Sequence, residues 1–473
     1  MSRVSSRKIP MALGKSIFVF LLLCSLARSS VFIHSNLAEL PAANLLGVRD
    51  VVFTWKEDVS PLVTAARKQG YRVYVETPLK QAKAAADEGT KGGWTGVILD
   101  IPDADNSESE SQLRELRSAY PKLRFRVLNR NGKQPDMRGS LIIKRDSVLE
   151  VSSPTAQPWI DTNLALIKVE HRAHRTEDSL YTFSWDDQGQ QRTLSADNYS
   201  LAGAEAGAFH SDLILPLDEA LQKALSHDDP RAWALWHQVR DVLTFASGAE
   251  RSFEPAANVG VVVDQLDTSD EVLNLLSRHN IPFQVFLAAD LKAEELQGFD
   301  ILVVLTKPAR EINERIRAFA TRGMTVVVVD AHGSYPWQNS QPVRENEHTT
   351  SYAVGNGKVL ELSEPVTDPE TFAQDIRRLL GKRNSLVSLW NGLTTIAVPY
   401  KDRAGTLRLL ELVNYVADPV HVQVEVKGSF KSVRYESPEH PCCESLAPVK
   451  HDGYTEFIIP ELRIAGRIHL EPQ

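Results

Sequence analysis

Three cysteines in 473 residues are too few for a disulfide framework, and one of them, Cys24, sits in the amino-terminal segment. Stability must therefore come from apolar cores. Cys442 and Cys443 are adjacent; they are expected as thiols in a loop or at a strand end, with a strained ring or a link between chains as the alternatives in an oxidising compartment. A basic excess is also missing: 53 Lys and Arg against 61 Asp and Glu give a net charge of -8. Without a basic stripe to attract a phosphate backbone, nucleic acid is not an expected partner. The chain has no G-x-x-x-x-G-K-[ST], no G-x-G-x-x-G after a strand and no G-x-S-x-G, so phosphate, dinucleotide and serine-hydrolase chemistry lack their usual markers. No cofactor and no metal are expected. His171 and His174 share a helix face, but no third ligand follows at a recognisable spacing and basic residues surround them, so they read as a solvated face.

Long hydrophobic runs are scarce too. The apolar stretch SIFVFLLLCSLA (16–27) falls short of the roughly 20 residues that span a bilayer. It follows Arg3, Arg7, Lys8 and Lys15 and ends in Ser25-Leu26-Ala27, a small-x-small cleavage site. Residues 1–30 are thus expected as a signal peptide and the mature protein as secreted or periplasmic. The alternative is an uncleaved anchor, which would be the chain's one link to a membrane.

What the chain does have is alternation. From residue 48, β-type runs (VRDVVFTW, YRVYVET, TGVILDI, KLRFRVL) are separated by helical ones (SPLVTAARKQG, KQAKAAADEG, SESQLRELRSAY). Strands joined by helical crossovers form a parallel sheet covered by helices. After a looser stretch, LYTFSWD, the small-residue helix NYSLAGAEAGAF, DLILPL and the helix PRAWALWHQVRDVLTFA close the first unit. Seven or eight strands in this length suit a (β/α) barrel, complete or degenerate, over 31–250; an open doubly wound sheet is the competitor. Behind a linker (GAERSFEPAA), residues 256–383 repeat strand and helix in a flavodoxin-like pattern. Residues 384–473 are β-rich runs divided by turn residues, the pattern of an antiparallel β-sandwich. The fold class is therefore multidomain α/β with a carboxyl-terminal β-sandwich.

Carboxyl ends of parallel strands open on one face, so ionisable residues there share a mouth. Asp100 in VILDIP, Glu76 in YVETP, Glu150 in VLEVSS, and Asp186 with Asp187 in FSWDDQG stand at or beside such ends. Glu205, among alanines and glycines in AGAEAGAF, joins them because a buried charge needs a partner. Paired carboxyl groups suit glycoside hydrolysis, in which one gives a proton to the leaving oxygen and the other attacks the sugar or activates water. Asp100, Glu205 and Asp186 are the expected catalytic set. Glu76, Asp187, Trp185 and Trp55 are the expected substrate-binding set, with the indoles offering faces for a sugar. Each has a plainer reading: Asp100 as the cap of a turn in DIPDAD, Glu76 as a loop-entry residue before Thr77-Pro78, Asp186 and Asp187 as a hairpin turn, Glu150 as the wet side of a strand.

Two segments carry a resemblance. FDILVVLTKPAREINERIRAFATRGMTVVVVDAHG resembles the strand, helix and strand leading to the nucleophile elbow of class I glutamine amidotransferase-like domains, with Ala331 where that family has its cysteine. The resemblance implies a domain without glutaminase activity. Similar non-catalytic domains stand behind the barrel in bacterial β-galactosidase-type glycoside hydrolases, where they are trimerisation domains. The tail, with LLELVNYV, VEVKGSFKSVRYESPE and TEFIIPELRIAGRIHLE, resembles the closing β-sandwich of barrel glycosidases. The family's paired catalytic glutamates, at the ends of well-separated strands, have no match in this barrel. The resemblance implies a bacterial, secreted, glycoside-hydrolase-like protein with a carbohydrate partner and a capacity to self-associate through the middle domain. Two other readings stand beside it: a carbohydrate-binding or scaffold pseudo-enzyme, and an envelope assembly protein working through the middle domain.

Overall fold

The computed structural model describes residues 31–473 except 36, 38, 57, 102–106, 129–135, 139–140, 143, 146–147, 150, 153–156, 159, 174–179, 185–194, 265–268, 308, 346 and 417. The expected signal peptide lies outside the described residues. Among those described, no helix is long and apolar enough to cross a membrane.

Eight parallel strands build the first unit: β1 (Val31–His34), β2 (Asp50–Thr54), β3 (Arg72–Pro78), β4 (Gly96–Asp100), β5 (Arg124–Val127), β6 (Asp136–Arg138), β7 (Leu180–Ser184) and β8 (Asp212–Pro216). Their hydrogen-bonded order is 5-4-3-2-1-8-7-6. Because β1 pairs with both β2 and β8, this is the circular order of a (β/α)8 barrel, with the seam between β5 and β6. Outside it lie α1 (Ala43–Leu46), α2 (Val59–Lys68), α3 (Ala82–Gly92), α4 (Ser107–Ala119), α5 (Leu164–Ala173), α6 (Ala196–Ala208), α7 (Glu219–Ser226) and α8 (Pro230–Ser247). The open doubly wound sheet is thereby replaced by the barrel.

Period-two alternation sorts the strand residues into two cores. Phe32, Val52, Tyr74, Ile98, Leu128, Leu180 and Ile214 form a small cluster of their own, and their strand neighbours in sequence pack outward against the helices. The first set fills the barrel. Gly96 leaves room for it, since a Cβ there would come within 2.9 Å of the Tyr74 ring. On the outside, the small residues of α6 let it press against α8: a Cβ on Gly207 would lie 2.7 Å from that of Ala246. Trp236 of α8 is fully buried and donates its indole N–H to the Leu46 carbonyl at 3.0 Å.

The middle unit holds β9 (Val259–Val263), β10 (Phe283–Leu287), β11 (Ile301–Val304), β12 (Thr325–Val328) and β13 (Gly357–Leu362), all parallel. Their order, β10-β9-β11-β12-β13, is the flavodoxin-like 2-1-3-4-5. Residues 344–354 add an antiparallel edge. Around the sheet lie α9 (Asp270–Arg278), α10 (Arg310–Thr321) and α11 (Pro369–Leu380). Barrel helix α5 docks here: Ala165 and Val169 join the core of this sheet, and Lys168 donates to the Phe283 carbonyl at 2.8 Å. Burial pulls the Lys168 ammonium down to about 8.

The last unit stacks two antiparallel sheets. One contains β15 (Thr395–Lys401), β16 (Leu407–Asn414), β18 (Phe430–Glu436), β19 (Glu444–Leu446) and β22 (Ala465–Pro472); the other contains β14 (Val387–Trp390), β17 (Val420–Lys427), β20 (Val449–His451) and β21 (Tyr454–Leu462). Between them lies a core of inward-facing residues such as Leu410, Val424, Tyr435 and Phe457. The linker contributes as well, because Glu254 and Pro255 pair with Lys401 and Tyr400 at the edge of the first sheet.

Two expectations change here. The sulfurs of Cys442 and Cys443 are bonded to each other, so the pair is a disulfide where two thiols were expected. His171 is not on a solvated face: its ring lies 6.5 Å from that of buried Tyr181, and burial, helped by Arg251, holds its imidazole down at about 4. His174 lies outside the described residues.

Candidate active site at the barrel mouth

The carboxyl end of the barrel is built from the same alternation that fills its core. Two residues beyond Phe32, Val52, Tyr74 and Ile98 come His34, Thr54, Glu76 and Asp100, which therefore face the same interior one layer higher. The register supports this placement: Glu76 pairs with Thr54 on one side and with Ile98 on the other, and Asp100 pairs with Pro78. Glu76 and Asp100 are thus diagonal neighbours on adjacent strands, roughly 8 Å apart at their Cα atoms from strand spacing and rise.

Electrostatics ties the two together. Glu76 is held above the usual carboxylate range, first by burial and then by the charge of Asp100. The negative charge of Asp100 adds to burial in disfavouring the ionised form of Glu76. Asp100 is half-buried; its Oδ1 is shut off from solvent and has no hydrogen-bond partner among the described residues. An enclosed acceptor without a donor costs free energy that a ligand hydroxyl would recover. On the other flank, His34 Nε2 lies 3.3 Å from Thr54 Oγ1, and burial lowers the histidine pKa. A neutral imidazole offers one donor and one acceptor. The described part of the mouth therefore presents a carboxyl pair, an imidazole and a hydroxyl, a set suited to a polyhydroxylated neutral ligand and to proton transfer.

The remaining expected site residues divide. Trp55 comes one residue after inward-facing Thr54 and points the other way: its Nε1 donates to Glu88 on α3 at 3.2 Å, and the Ser60 hydroxyl donates to the other oxygen of the same carboxylate. It belongs to the helix layer and does not line the mouth. Glu205 is fully buried on α6, turned toward the β-sandwich. Its carboxylate accepts from Thr162 Oγ1 (2.8 Å), the Asn163 amide (3.2 Å), Asn163 Nδ2 (2.6 Å) and the Tyr415 hydroxyl (2.5 Å). The structure does not bring Glu205 to Asp100; it is a junction between barrel and sandwich. Trp185, Asp186, Asp187 and Glu150 lie outside the described residues. In the chain the first three follow directly on β7.

His34 and Thr54 were not singled out from sequence. The signal was present in VFIH, an apolar triplet ending in a polar residue, but it abuts the apolar amino-terminal segment and reads as its extension.

The opposite end of the barrel is closed by ion pairs. Asp212, at the start of β8, takes Arg126 on one oxygen at 2.5 Å and Arg251 on the other at 2.8 Å, all three largely buried. Arg126 also lies over the Phe32 ring, 5.6 Å from its centroid.

No protein-family model matches the chain, and no curated protein matches it. Solved structures do. The α-L-fucosidase isoenzyme 2 of Paenibacillus thiaminolyticus aligns over 94% of this chain and 100% of its own, at TM-score 0.60 and 11% identity. Gan42B, a GH42 β-galactosidase, aligns over 94% and 99%, at TM-score 0.55 and 8% identity. This is a glycoside-hydrolase-like fold. The β-galactosidase of Rahnella sp. R3 repeats the alignment over 93% and 99%, at TM-score 0.53 and 10% identity. The shared fold comprises the barrel and the β-rich carboxyl-terminal domain.

The Ala331 position completes the placement of expected residues. After β12 the chain turns through Asp330, which adopts a left-handed conformation (φ 55°), and Ala331 donates its amide to the Leu362 carbonyl at 2.9 Å. The side chain at the turn is a carboxylate paired with His332 at 3.0 Å. No sulfur nucleophile is present at these positions.

Proposed function

We propose that the protein is a secreted glycoside hydrolase acting on an oligo- or polysaccharide at the barrel mouth, with Glu76 as the proton donor and Asp100 as the second carboxylate. The observation that carries this reading is the electrostatic coupling of Glu76 to Asp100 on adjacent strand ends, in a fold shared with glycoside hydrolases. Burial and a neighbouring charge both favour the protonated form of Glu76, the state a general acid needs before it meets the glycosidic oxygen. His34 and Thr54 orient sugar hydroxyls. Trp185, Asp186 and Asp187, following on β7, remain within the proposal as substrate-binding and catalytic residues. Self-association through the middle domain and export by the amino-terminal leader also belong to it.

The test is turnover of a panel of aryl fucosides, galactosides and mannosides by the mature chain and by Asp100→Asn and Glu76→Gln. Each substitution is expected to lower kcat/KM by about 10²–10⁴-fold, the usual contribution of a positioned acid or base. Full turnover in Asp100→Asn removes that residue from the chemistry.

One observation favours a second reading, a carbohydrate-binding pseudo-enzyme. The pair lies on adjacent strands, whereas the glycosidases this chain resembles place their catalytic glutamates on well-separated ones. Glycan affinity in the wild type, abolished in Asp100→Asn and without released sugar over long incubation, selects it.

A further inference from the structure

Away from the mouth, one cluster joins four side chains with the donor atoms of a transition-metal site. Glu436 ends β18, His469 lies on β22, and Cys442 and Cys443 immediately precede β19, which pairs with β18. One ligand atom from each of the four lies within 4.8 Å of those of the others. The folding that gathers them is local. Ser437 and His440 exchange backbone hydrogen bonds of 3.0 and 3.2 Å, and this tight turn returns the chain over Glu436. In the antiparallel register Arg434 faces His469 and Glu436 faces Arg467, so His469 and Glu436 are diagonal neighbours on one face of the sheet. His469 Nε2 is enclosed and lies 3.1 Å from Glu436 Oε1. Arg467 holds that same oxygen at 2.6 Å and Glu411 at 2.5 Å, and neither contact to Glu436 uses Oε2.

Two sulfurs, one imidazole and one carboxylate match the ligand types and the number of a tetrahedral zinc site. The sulfurs exclude calcium and magnesium, which take oxygen. As the disulfide, the pair offers no thiolate, so ligation depends on its reduction. We propose that Cys442, Cys443, His469 and Glu436 form a reduction-dependent site for one zinc-type divalent cation at the edge of the β-sandwich. A dithiol reductant delivers two electrons and two protons to the Cys442–Cys443 bond and becomes a disulfide itself; both sulfurs leave as thiols. The metal then displaces their two protons to solvent and binds two thiolates, a neutral imidazole and a carboxylate. Arg467 offsets part of the resulting negative charge. The same arginine lies over the Phe245 ring of α8, 4.6 Å from its centroid, so the site abuts the seam between sandwich and barrel.

Cobalt(II) titration of the full chain tests this, because thiolate ligation gives a sulfur-to-metal charge-transfer band and tetrahedral geometry gives intense visible absorption. In the phosphine-reduced protein, one cobalt per chain with both signatures is expected, displaced by one equivalent of zinc. The oxidised protein is expected to show neither. A Cys442→Ser/Cys443→Ser variant, altered at a surface turn, should lose the charge-transfer band. His469→Gln, checked for folding by circular dichroism, should weaken zinc binding at least tenfold, since even outer-sphere partners of metal ligands are worth about 10–100-fold. A reduced wild type without the band overturns the proposal, as does a band that survives the double serine variant. Unchanged affinity in folded His469→Gln also overturns it, leaving a dithiol that binds metal without the protein's help.

Discussion

The two ends of the barrel handle buried carboxylates in opposite ways. At the amino-terminal end, Asp212 is answered on both oxygens by Arg126 and Arg251. At the carboxyl end, Glu76 is influenced first by burial and then by another acid, Asp100, one oxygen of which has no described partner. Glu205 resembles the first case although it lies outside the barrel: three residues saturate it. Burial alone therefore does not mark a functional acid. A carboxylate with its lone pairs filled is cohesive, because the protein has already supplied what a ligand would bring. A carboxyl pair left short of donors is a place where a ligand gains free energy by binding.

This contrast can be broken by substitution. Asp212→Asn leaves two buried guanidinium groups without a full counter-charge, and about 3–5 kcal/mol of stability is expected to go with it. Asp100→Asn should leave the urea midpoint unchanged or raised, since it relieves repulsion. If the two variants unfold alike, the distinction between the ends is wrong. Acid should find the closed end next. His171, near Arg251 and Asp212, has its pKa lowered to about 4 in the folded chain, so the unfolded chain takes up a proton first as pH falls below its ordinary value near 6.5. Stability is complete above that value and falls toward pH 4, by up to about 3 kcal/mol from this group. A denaturant series between pH 7 and 4 measures it, and His171→Gln should flatten the dependence. Tyr415→Phe removes one donor to Glu205 and is expected to cost about 1.5–3 kcal/mol without altering glycan binding. Smallest in energy, but most specific to the mouth, is a pH effect. Activity that needs protonated Glu76 falls as pH rises through its raised pKa, and Asp100→Asn, by removing the neighbouring charge, should move that limb of residual kcat/KM to lower pH. A limb that stays in place separates the two residues.

Much of the architecture was legible because it rests on periodicity. The apolar runs of β2, β3, β4, β5, β7 and β8 and the small-residue helix α6 all read directly from the text. Two barrel strands did not. VFIH of β1 follows an amino-terminal segment of similar composition, and Asp136–Arg138 of β6 carries no β-type pattern and is held by pairing with β7. In the middle unit, β13 in GKVLEL is hard to read from sequence because alternation is weak in a strand of six residues. The placement of Glu76 and Asp100 at neighbouring strand ends was legible, because it follows from the strand pattern. The site was misread where one residue of phase decides the face, as at Trp55 beside Thr54. Glu205 was misread for a different reason: its partners Asn163 and Tyr415 are 42 and 210 positions away in the chain, a distance no local pattern spans.

The short pairing of Glu254 and Pro255 with Lys401 and Tyr400 makes the middle unit an excursion: the chain touches the terminal sheet, leaves to build a whole flavodoxin-like layer, and returns to the neighbouring strand. Points of departure and return are therefore close in space. A short glycine-serine bridge would span the two points, but removing the excursion would uncover Ala165 and Val169 of α5, so the central layer can be exchanged only for one that covers that face.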